Sequence, residues 1–259
     1  MRGSPRGDAH RPRSDMTALA GRVALVTGAG RRVGRAIALA LGAQGMRVVV
    51  HYNASAEGAR ETARLIVQSG AQASTVQADL ADVSACERLV DDTVREQREL
   101  FLLVNSAAIM MRTPIGSVSR RDWDEMYAIN VRAPFFIAQR AAPALREVRG
   151  NVVNIADLAA FESWTTYVPH GMTKAALVQM TRSLAHALAP EVRVNAVAPG
   201  TVLLPEGFDP AQADHLRRTT PLGRLGSPED VAQAVVYLAT ADYVTGEVIR
   251  VDGGRHIRT

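Results

Sequence analysis

Short apolar runs that alternate with longer segments of helical period constrain the fold of this sequence more than any other feature. The first two strand candidates are VALVTG (23–28) and RVVVHY (47–52), and helical patterns follow them from about Val33 to Gly45 and over 57–70. Five more strand candidates lie in ASTVQADL, FLLVNSAA, GNVVNIAD, RVNAVAPG and GEVIRVDGG. Strands that are apolar throughout and separated by helices are typical of a parallel sheet covered on both faces. The pattern therefore predicts an α/β fold, with a doubly wound parallel sheet of about seven strands flanked by helices.

The domain organisation is simple. The sequence shows no composition break or linker between residues 17 and 259, so we predict a single domain over that range. Residues 1–16, MRGSPRGDAHRPRSDM, are rich in arginine and lack an apolar segment. This predicts a disordered basic tail, or a start upstream of a functional Met16, rather than a secretory signal.

The overall composition is that of an ordinary globular protein, with 47% hydrophobic and 22% charged residues. No apolar run approaches the roughly 20 residues of a membrane span, and basic residues beyond the tail are scattered. The one cysteine, Cys86, precludes an internal disulfide and provides no metal cluster. We therefore expect a cytoplasmic protein that has no metal and binds neither membranes nor nucleic acids.

A glycine-rich loop follows the first strand in VTGAGRRVGRAIALAL and places Gly28, Gly30 and Gly34 at the start of a helix. Glycines there allow a tight turn and a close backbone approach to a phosphate, while the helix N-terminus offers free N–H groups. In this strand–loop–helix context the motif predicts a Rossmann-type dinucleotide site, although its spacing has one residue more than the usual fingerprint.

The end of the second strand predicts which dinucleotide binds. NAD sites usually carry an acidic residue about 20 residues past the glycines, but HYNASAEG has no acid before Glu57. Arg31 and Arg32 in the loop, with Ser55, provide partners for a 2′-phosphate. NADPH is therefore the predicted cofactor. Asp79, after the third strand, is predicted to lie beside the adenine, with a helix N-cap as an alternative or additional role.

A tyrosine, a histidine and a lysine lie close together in TTYVPHGMTKAAL (165–177), where a helical pattern begins. His170 precedes Lys174 by four residues, an offset that places both side chains on one helix face, whereas Tyr167 lies seven residues before Lys174. All but one of the 30 lysine and arginine residues are arginines, and the exception is Lys174. Arginine cannot replace an ammonium whose pKa must be adjusted, which indicates a functional role for this lysine.

Together these motifs resemble the short-chain dehydrogenase/reductase superfamily over nearly all of residues 20–256. The matching segments are TGAGRRVG, Asp79–Leu80, NSAA (105–108), Asn130 in AINVRAPFF, VNIAD, KAAL, VRVNAVAPG and TGEVIRVDGG. The resemblance implies a Rossmann-type fold, a nicotinamide cofactor, hydride transfer and a homotetramer built partly from the helices around 115–145 and 172–188.

Within the superfamily the chain is most similar to the pteridine reductases. Their pattern T-G-x-x-x-R-x-G is matched by Thr27, Gly28, Arg32 and Gly34, and their HY with a following serine by His51, Tyr52 and Ser55. Asp157 stands 13 residues before His170, where most members have serine and pteridine reductases have aspartate. A helix N-cap is the alternative role for this aspartate. Tyr167 matches a tyrosine that they commonly carry three residues before the catalytic one.

Two positions depart from the family pattern. His170 stands where the family has its catalytic tyrosine, and Met110 stands where pteridine reductases have an aromatic ring that stacks on the pterin. Histidine is a competent general acid. An ionised Asp157 would favour its charged form, while the Lys174 ammonium would disfavour it. The alternatives are proton delivery by Tyr167, delivery by Asp157 or water, and a weak or inactive enzyme.

The resemblance also implies a role for each matching residue. Lys174 is expected to bind the nicotinamide ribose, and Asn130 to support a water chain to it. The expected catalytic residues are Asp157, His170, Lys174, Asn130 and Tyr167, and the expected substrate contacts are Met110, Asp157, Tyr167 and Leu203. The expected cofactor contacts are Gly28, Gly30, Arg31, Arg32, Val33, Gly34, His51, Tyr52, Asn53, Ser55, Asp79, Leu80, Asn105, Ala107, Lys174, Pro199 and Gly200. The segment 201–227 is expected to form a flexible substrate lid.

The sequence therefore predicts an NADPH-dependent oxidoreductase that transfers hydride to a C=O or C=N of a small cyclic substrate, pterin-like or carbonyl. Two alternatives stay open. One is a broad carbonyl or 3-oxoacyl reductase, and the other is an NADP-binding pseudoenzyme that acts through protein contacts.

Overall fold

The computed structural model describes residues 19–204 and 208–257, and the predicted basic tail at 1–16 lies outside them. The strands are β1 (Val23–Val26), β2 (Arg47–Tyr52), β3 (Gln72–Gln77), β4 (Leu102–Asn105), β5 (Asn151–Ile155), β6 (Arg193–Pro199) and β7 (Val248–Val251). The α-helices are α1 (Arg32–Ala43), α2 (Ala56–Gln68), α3 (Val83–Gln97), α4 (Arg120–Tyr127), α5 (Ala133–Glu147), α6 (Val168–Leu188), α7 (Pro210–Arg218) and α8 (Pro228–Thr240). A π-helical turn (Ala128–Arg132) joins α4 to α5, and 3₁₀ turns occupy Leu158–Ala160 and Arg255–Ile257.

The strands form one seven-stranded parallel sheet in the order β3-β2-β1-β4-β5-β6-β7. The chain runs outward from β1 through β2 to β3 and then crosses back to β4 on the other side of β1. The crevice at the carboxyl ends of β1 and β4 is the point where ligands bind in open sheets of this kind. The predicted fold class is confirmed.

The hydrophobic core lies on both faces of the sheet, which explains why the strands are apolar throughout. Ala24 and Val26 of β1 pack into a cluster with Ile37 of α1 and Val235 of α8. Val23 and Leu25 face the opposite way and join a second cluster, which includes Leu89 of α3 and Ile137 of α5. Alternate residues of β1 thus enter different cores, so each residue of this strand is apolar.

The element boundaries agree closely with the sequence pattern. The second strand occupies the predicted residues 47–52, and the helix predicted over 57–70 runs from Ala56 to Gln68. The predicted lid, 201–227, contains helix α7, while residues 205–207 within it lie outside the described ranges. No helix in the described part of the chain has the length and apolar character needed to cross a membrane.

Candidate active site

The loop between β1 and α1 has a backbone that only glycine fits. Gly28 has φ +65°, and a Cβ there would lie 2.9 Å from the Cα of Ala107. A Cβ on Gly34 would collide with the Gly28 carbonyl, and one on Gly30 would lie 3.1 Å from the Ser55 carbonyl. The loop leads into the first turn of α1, where backbone N–H groups lack helical partners. This cradle fits the pyrophosphate of a nicotinamide dinucleotide.

His51, on β2, supports this loop through a hydrogen bond to its backbone. Its ring is buried, Nδ1 accepts a hydrogen bond from the Gly28 N–H at 3.1 Å, and Nε2 donates to the Ala78 carbonyl at 3.1 Å. Burial lowers the pKa of His51 to about 4, so the ring is neutral at pH 7. The sequence predicts His51 as a cofactor contact. In the structure both of its ring nitrogens form hydrogen bonds with backbone groups of the protein.

Arg31 and Arg32 lie exposed where the loop meets α1. Arg32 has φ +53°, and its guanidinium donates a long hydrogen bond, 3.5 Å, to the carbonyl of Leu203. This contact joins the glycine loop to the start of the predicted lid. Ser55 precedes α2, and its hydroxyl lies 3.3 Å from the position of a Cβ on Gly30. Both arginines and Ser55 thus border the loop.

Arg35, in the first turn of α1, is a residue of the site that the sequence interpretation missed. Its guanidinium donates to the carbonyls of Gly30, at 2.7 Å, and Gly58, at 3.2 Å, and its Nε donates to the Thr62 hydroxyl at 3.1 Å. These contacts brace the loop against α2. An arginine directly after the last loop glycine was the available signal, but its position does not distinguish a structural brace from a phosphate ligand.

The residues predicted to lie beside the adenine are at the ends of β2 and β3. Asp79 is exposed, and its Oδ1 accepts from the Ala81 N–H at 3.0 Å and from Nδ2 of Asn53 at 3.4 Å. The N-cap of α3 is Asp82, which accepts from the Ser84 N–H at 2.9 Å. The alternative role of Asp79 as the helix N-cap is therefore wrong. Tyr52 is half-buried, and Leu80 is buried in the core.

Thr27 connects the ends of β1 and β4. Its hydroxyl accepts from the N–H groups of Ser106 and Ala107, both at 3.0 Å. Asn105 donates from Nδ2 to Oδ1 of Asn154 at 2.9 Å. These bonds hold the NSAA segment against the glycine loop. A Cβ at residue 28 would therefore lie 2.9 Å from the Cα of Ala107, which explains why this position is a glycine.

Lys174 lies buried on the inner face of α6. Its Nζ donates to the Ile155 carbonyl at the end of β5, at 2.8 Å. Burial lowers the pKa of Lys174 to about 8, while the nearby Asp157 carboxylate opposes the shift. The ammonium is thus held at the carboxyl end of the sheet, the edge at which ligands bind in open sheets of this kind.

His170 lies one helical turn before Lys174 and is also buried. Its Nε2 faces Oδ2 of Asp157 at 3.7 Å, and its Nδ1 lies 3.3 Å from the Ile109 carbonyl. Asp157 also accepts from the Ala159 N–H at 2.9 Å, so it caps a 3₁₀ turn while it faces the histidine. The structure brings together His170, Asp157 and Lys174, and the arrangement can exchange a proton with a bound substrate.

Asn130 lies in the π-helical turn and is buried. Its Oδ1 accepts from the Ile109 N–H and its Nδ2 donates to the Ile109 carbonyl, both at 2.9 Å. Nδ2 also lies 3.1 Å from the hydroxyl of Thr173. Turns of this kind occur often at functional sites, because the extra residue redirects a side chain.

The rim of the site carries apolar and aromatic side chains. Tyr167 is half-buried, lies just before α6, and packs edge-to-face against Trp164 with ring centroids 6.3 Å apart. Met110 and Leu203 are 49% and 40% exposed. The sequence interpretation missed Trp164, for which the only signal was an aromatic residue three positions before Tyr167.

The last predicted cofactor contacts, Pro199 and Gly200, lie at the end of β6. The Gly200 N–H donates to the Val251 carbonyl at 2.9 Å, and a Cβ on Gly200 would lie 2.7 Å from Cβ of Asp252. The chain thus leaves the sheet close to β7 before it enters the segment 201–227. The described residues contain no group of His, Cys, Asp and Glu side chains able to hold a metal ion.

Comparisons with known proteins agree with this geometry. The profile of the family described as enoyl-(acyl carrier protein) reductase matches residues 28–256. A 3-oxoacyl-(acyl-carrier-protein) reductase of Synechocystis is 35% identical over 244 residues, which cover 92% of this chain and 98% of that protein. The 3beta-hydroxysteroid dehydrogenase 1 of Eggerthella lenta is 35% identical over 245 residues, which cover 91% and 94%.

A solved structure from Sinorhizobium meliloti, described as a short-chain alcohol dehydrogenase, superimposes with a TM-score of 0.90 at 34% identity, covering 95% of this chain and all of that one. Similarity of this extent spans the glycine loop, the sheet and the segment that carries Lys174. The chain therefore belongs to the short-chain dehydrogenase/reductase family and is an oxidoreductase of the type that uses a nicotinamide cofactor.

Proposed function

We propose that this oxidoreductase uses NADPH to reduce a C=O or C=N bond in a small cyclic substrate, pterin-like or carbonyl. The observation that carries the proposal is the buried His170, which faces Asp157 at 3.7 Å and lies one turn from Lys174 at the carboxyl end of the sheet. A proton source and a cation side by side at this position suit a reaction in which a hydride and a proton reach the same double bond.

The bound cofactor supplies the hydride, and the residues of this chain supply the rest. Lys174, held by the Ile155 carbonyl, presents its ammonium to the cofactor ribose. His170 gives a proton from Nε2 to the substrate oxygen or nitrogen as negative charge develops there. The Asp157 carboxylate stabilises the protonated imidazole and orients it. Tyr167 and Trp164 form an apolar wall that orients the substrate at the rim.

The substrate class rests on two positions. Asp157, rather than serine, favours a pterin-like ring, because a carboxylate can accept hydrogen bonds from ring N–H groups. Met110 favours a substrate without a strict need for ring stacking, since a thioether replaces the aromatic surface. The second candidate, a broad carbonyl or 3-oxoacyl reductase, is favoured by the name of the Synechocystis relative.

An assay panel tests these functions. The purified protein is titrated with NADPH and then assayed with ketones, a 3-oxoacyl thioester, quinonoid compounds and dihydropterins. Turnover of the dihydropterin supports the leading proposal, and turnover of the thioester or simple ketones alone supports the second candidate. Tight NADPH binding without turnover of any compound would support the remaining alternative, a pseudoenzyme that acts through protein contacts.

The cofactor preference gives a separate prediction. NADPH should bind at least tenfold more tightly than NADH, about 1.4 kcal/mol, because Arg31, Arg32 and Ser55 border the glycine loop and no acid stands at the end of β2. Arg32→Ala should remove most of this preference. The control is Arg88→Ala, which removes an exposed charge on α3 without touching the loop. Equal affinity of the unmodified protein for the two cofactors, measured by fluorescence titration, would contradict the proposal.

We also propose that the protein is a homotetramer, as members of this family commonly are. Phe135 on α5 and Met172 on α6 are 38% and 45% exposed, and both lie on the helices expected at the interface. Sedimentation at micromolar concentration should therefore give a species about four times the protomer mass, and a single 27.8 kDa species would contradict this.

A further inference from the structure

We propose that Asn130 is a positioning residue for His170: it holds the Ile109 carbonyl against Nδ1 of the imidazole and thereby leaves Nε2 as the nitrogen that exchanges the proton. The inference rests on the proposed function for its catalytic consequence, but the arrangement of hydrogen bonds is independent of any substrate. It concerns a contact that exists because a histidine stands at position 170.

The first step is the tautomer of His170. A carbonyl oxygen only accepts hydrogen bonds, so the contact between Nδ1 and the Ile109 carbonyl at 3.3 Å requires a proton on Nδ1. In the neutral ring Nε2 then carries a lone pair. Nε2 is buried and makes no hydrogen bond to the described residues, with the Asp157 carboxylate 3.7 Å away. A proton added to the ring therefore goes to Nε2, beside the carboxylate, and leaves from Nε2.

The second step is how the Ile109 carbonyl is held. Asn130 uses both ends of its amide on this one residue, accepting from its N–H and donating to its carbonyl at 2.9 Å each. A carbonyl oxygen has two lone pairs, and Asn130 and His170 occupy both. With Asn130 in place, the carbonyl cannot rotate away from the imidazole without breaking two buried hydrogen bonds.

The amide of Asn130, which holds the Ile109 carbonyl by two hydrogen bonds, acts as a clamp, and the surroundings of His170 show why this clamp is uncharged. The charged groups that the structure places near the ring are Asp157, from the segment after β5, and Lys174, one turn along α6. The Ile109 segment contributes a carbonyl, and the π-helical turn contributes the uncharged amide of Asn130. The clamp thus fixes the ring without adding a charge that would compete with Asp157.

Nuclear magnetic resonance of the full chain labelled with ¹⁵N-histidine tests the tautomer directly. Neutral His170 should show a proton on Nδ1 and a bare Nε2. His51 is an internal control, because its hydrogen bonds require the opposite form, with Nδ1 bare and Nε2 protonated. The His170 signals are assigned by their loss in His170→Tyr.

Asn130→Ala should replace the single His170 tautomer by a mixture, shift the pH profile of kcat, and lower kcat about tenfold or more, since a misplaced catalytic group costs up to about 100-fold. The matched control is Thr173→Val. It removes the hydrogen bonds of the Thr173 hydroxyl to Asn130 and to the His170 carbonyl but leaves both bonds between Asn130 and Ile109, and it should keep the Nδ1–H form. If Asn130→Ala does not fold, Asn130→Leu makes the same test, because it keeps a side chain of similar volume without charge and makes neither bond to Ile109.

A bare Nδ1 at His170 in the unmodified protein would overturn the proposal, as would an unchanged tautomer and pH profile in Asn130→Ala. An equal loss of the tautomer in Thr173→Val would also overturn it, because that would indicate general loosening rather than a specific clamp. None of the spectra needs turnover. Failure of the proposed function, by contrast, would appear as full activity in a variant without His170.

Discussion

Replacing His170 with alanine should lower kcat about 10²–10⁴-fold and leave NADPH affinity little changed, the usual effect of losing a general acid. The reason is that the buried imidazole faces Asp157 and not the glycine loop that holds the cofactor. Steady-state assays on the best substrate of the panel, together with NADPH titration, measure both quantities. Lys174→Ala should differ, because it should weaken NADPH binding as well as turnover.

Two variants act as controls for this result. His170→Tyr introduces the tyrosine that the resemblance to the family implies at this position, and it should preserve or raise activity and move the pH optimum upward, because a phenol titrates well above an imidazole. Tyr167→Phe removes only a hydroxyl group at the rim and should retain turnover. If Tyr167→Phe abolishes turnover while His170→Ala keeps it, then Tyr167 is the proton donor.

Replacing Lys174 with methionine should remove a contribution to the free energy of unfolding that varies with pH by about 3 kcal/mol. Burial lowers the pKa of Lys174 from 10.5 to about 8 in the folded protein. Between these values the unfolded chain binds a proton that the folded chain does not, so the free energy of unfolding rises with pH. Relative to Lys174→Met, the cofactor-free wild type should thus gain about 3 kcal/mol as the pH rises from 7.5 to above 10.

Urea unfolding of the two proteins across this pH range measures the difference. Lys174→Arg is the control, because an arginine stays charged throughout and its stability relative to Lys174→Met should not vary with pH. A constant difference between wild type and Lys174→Met would show that the ammonium keeps its ordinary pKa when buried, and so would contradict the prediction.

The sequence by itself determined the fold and the location of the dinucleotide site. Apolar runs such as 23–26 carry the information because both faces of a parallel strand are buried, so that every residue of the run is constrained. The glycines at 28, 30 and 34 are equally local, since each is required by backbone that lies within the same loop or beside it. The four-residue spacing of His170 and Lys174 likewise needs only the geometry of one helix.

Only the tertiary structure decided what the polar residues of the site contact. Arg35 directly follows the glycine loop and His51 lies on the next strand, yet the side chains of both bind backbone groups and brace the loop. Asn130 lies 21 residues from Ile109, and His170 lies 61 residues from it, but all three meet at one carbonyl. Hydrogen-bond partners so far apart are set by how α6 and the π-helical turn pack against the end of β4, and no local pattern of residues encodes that packing.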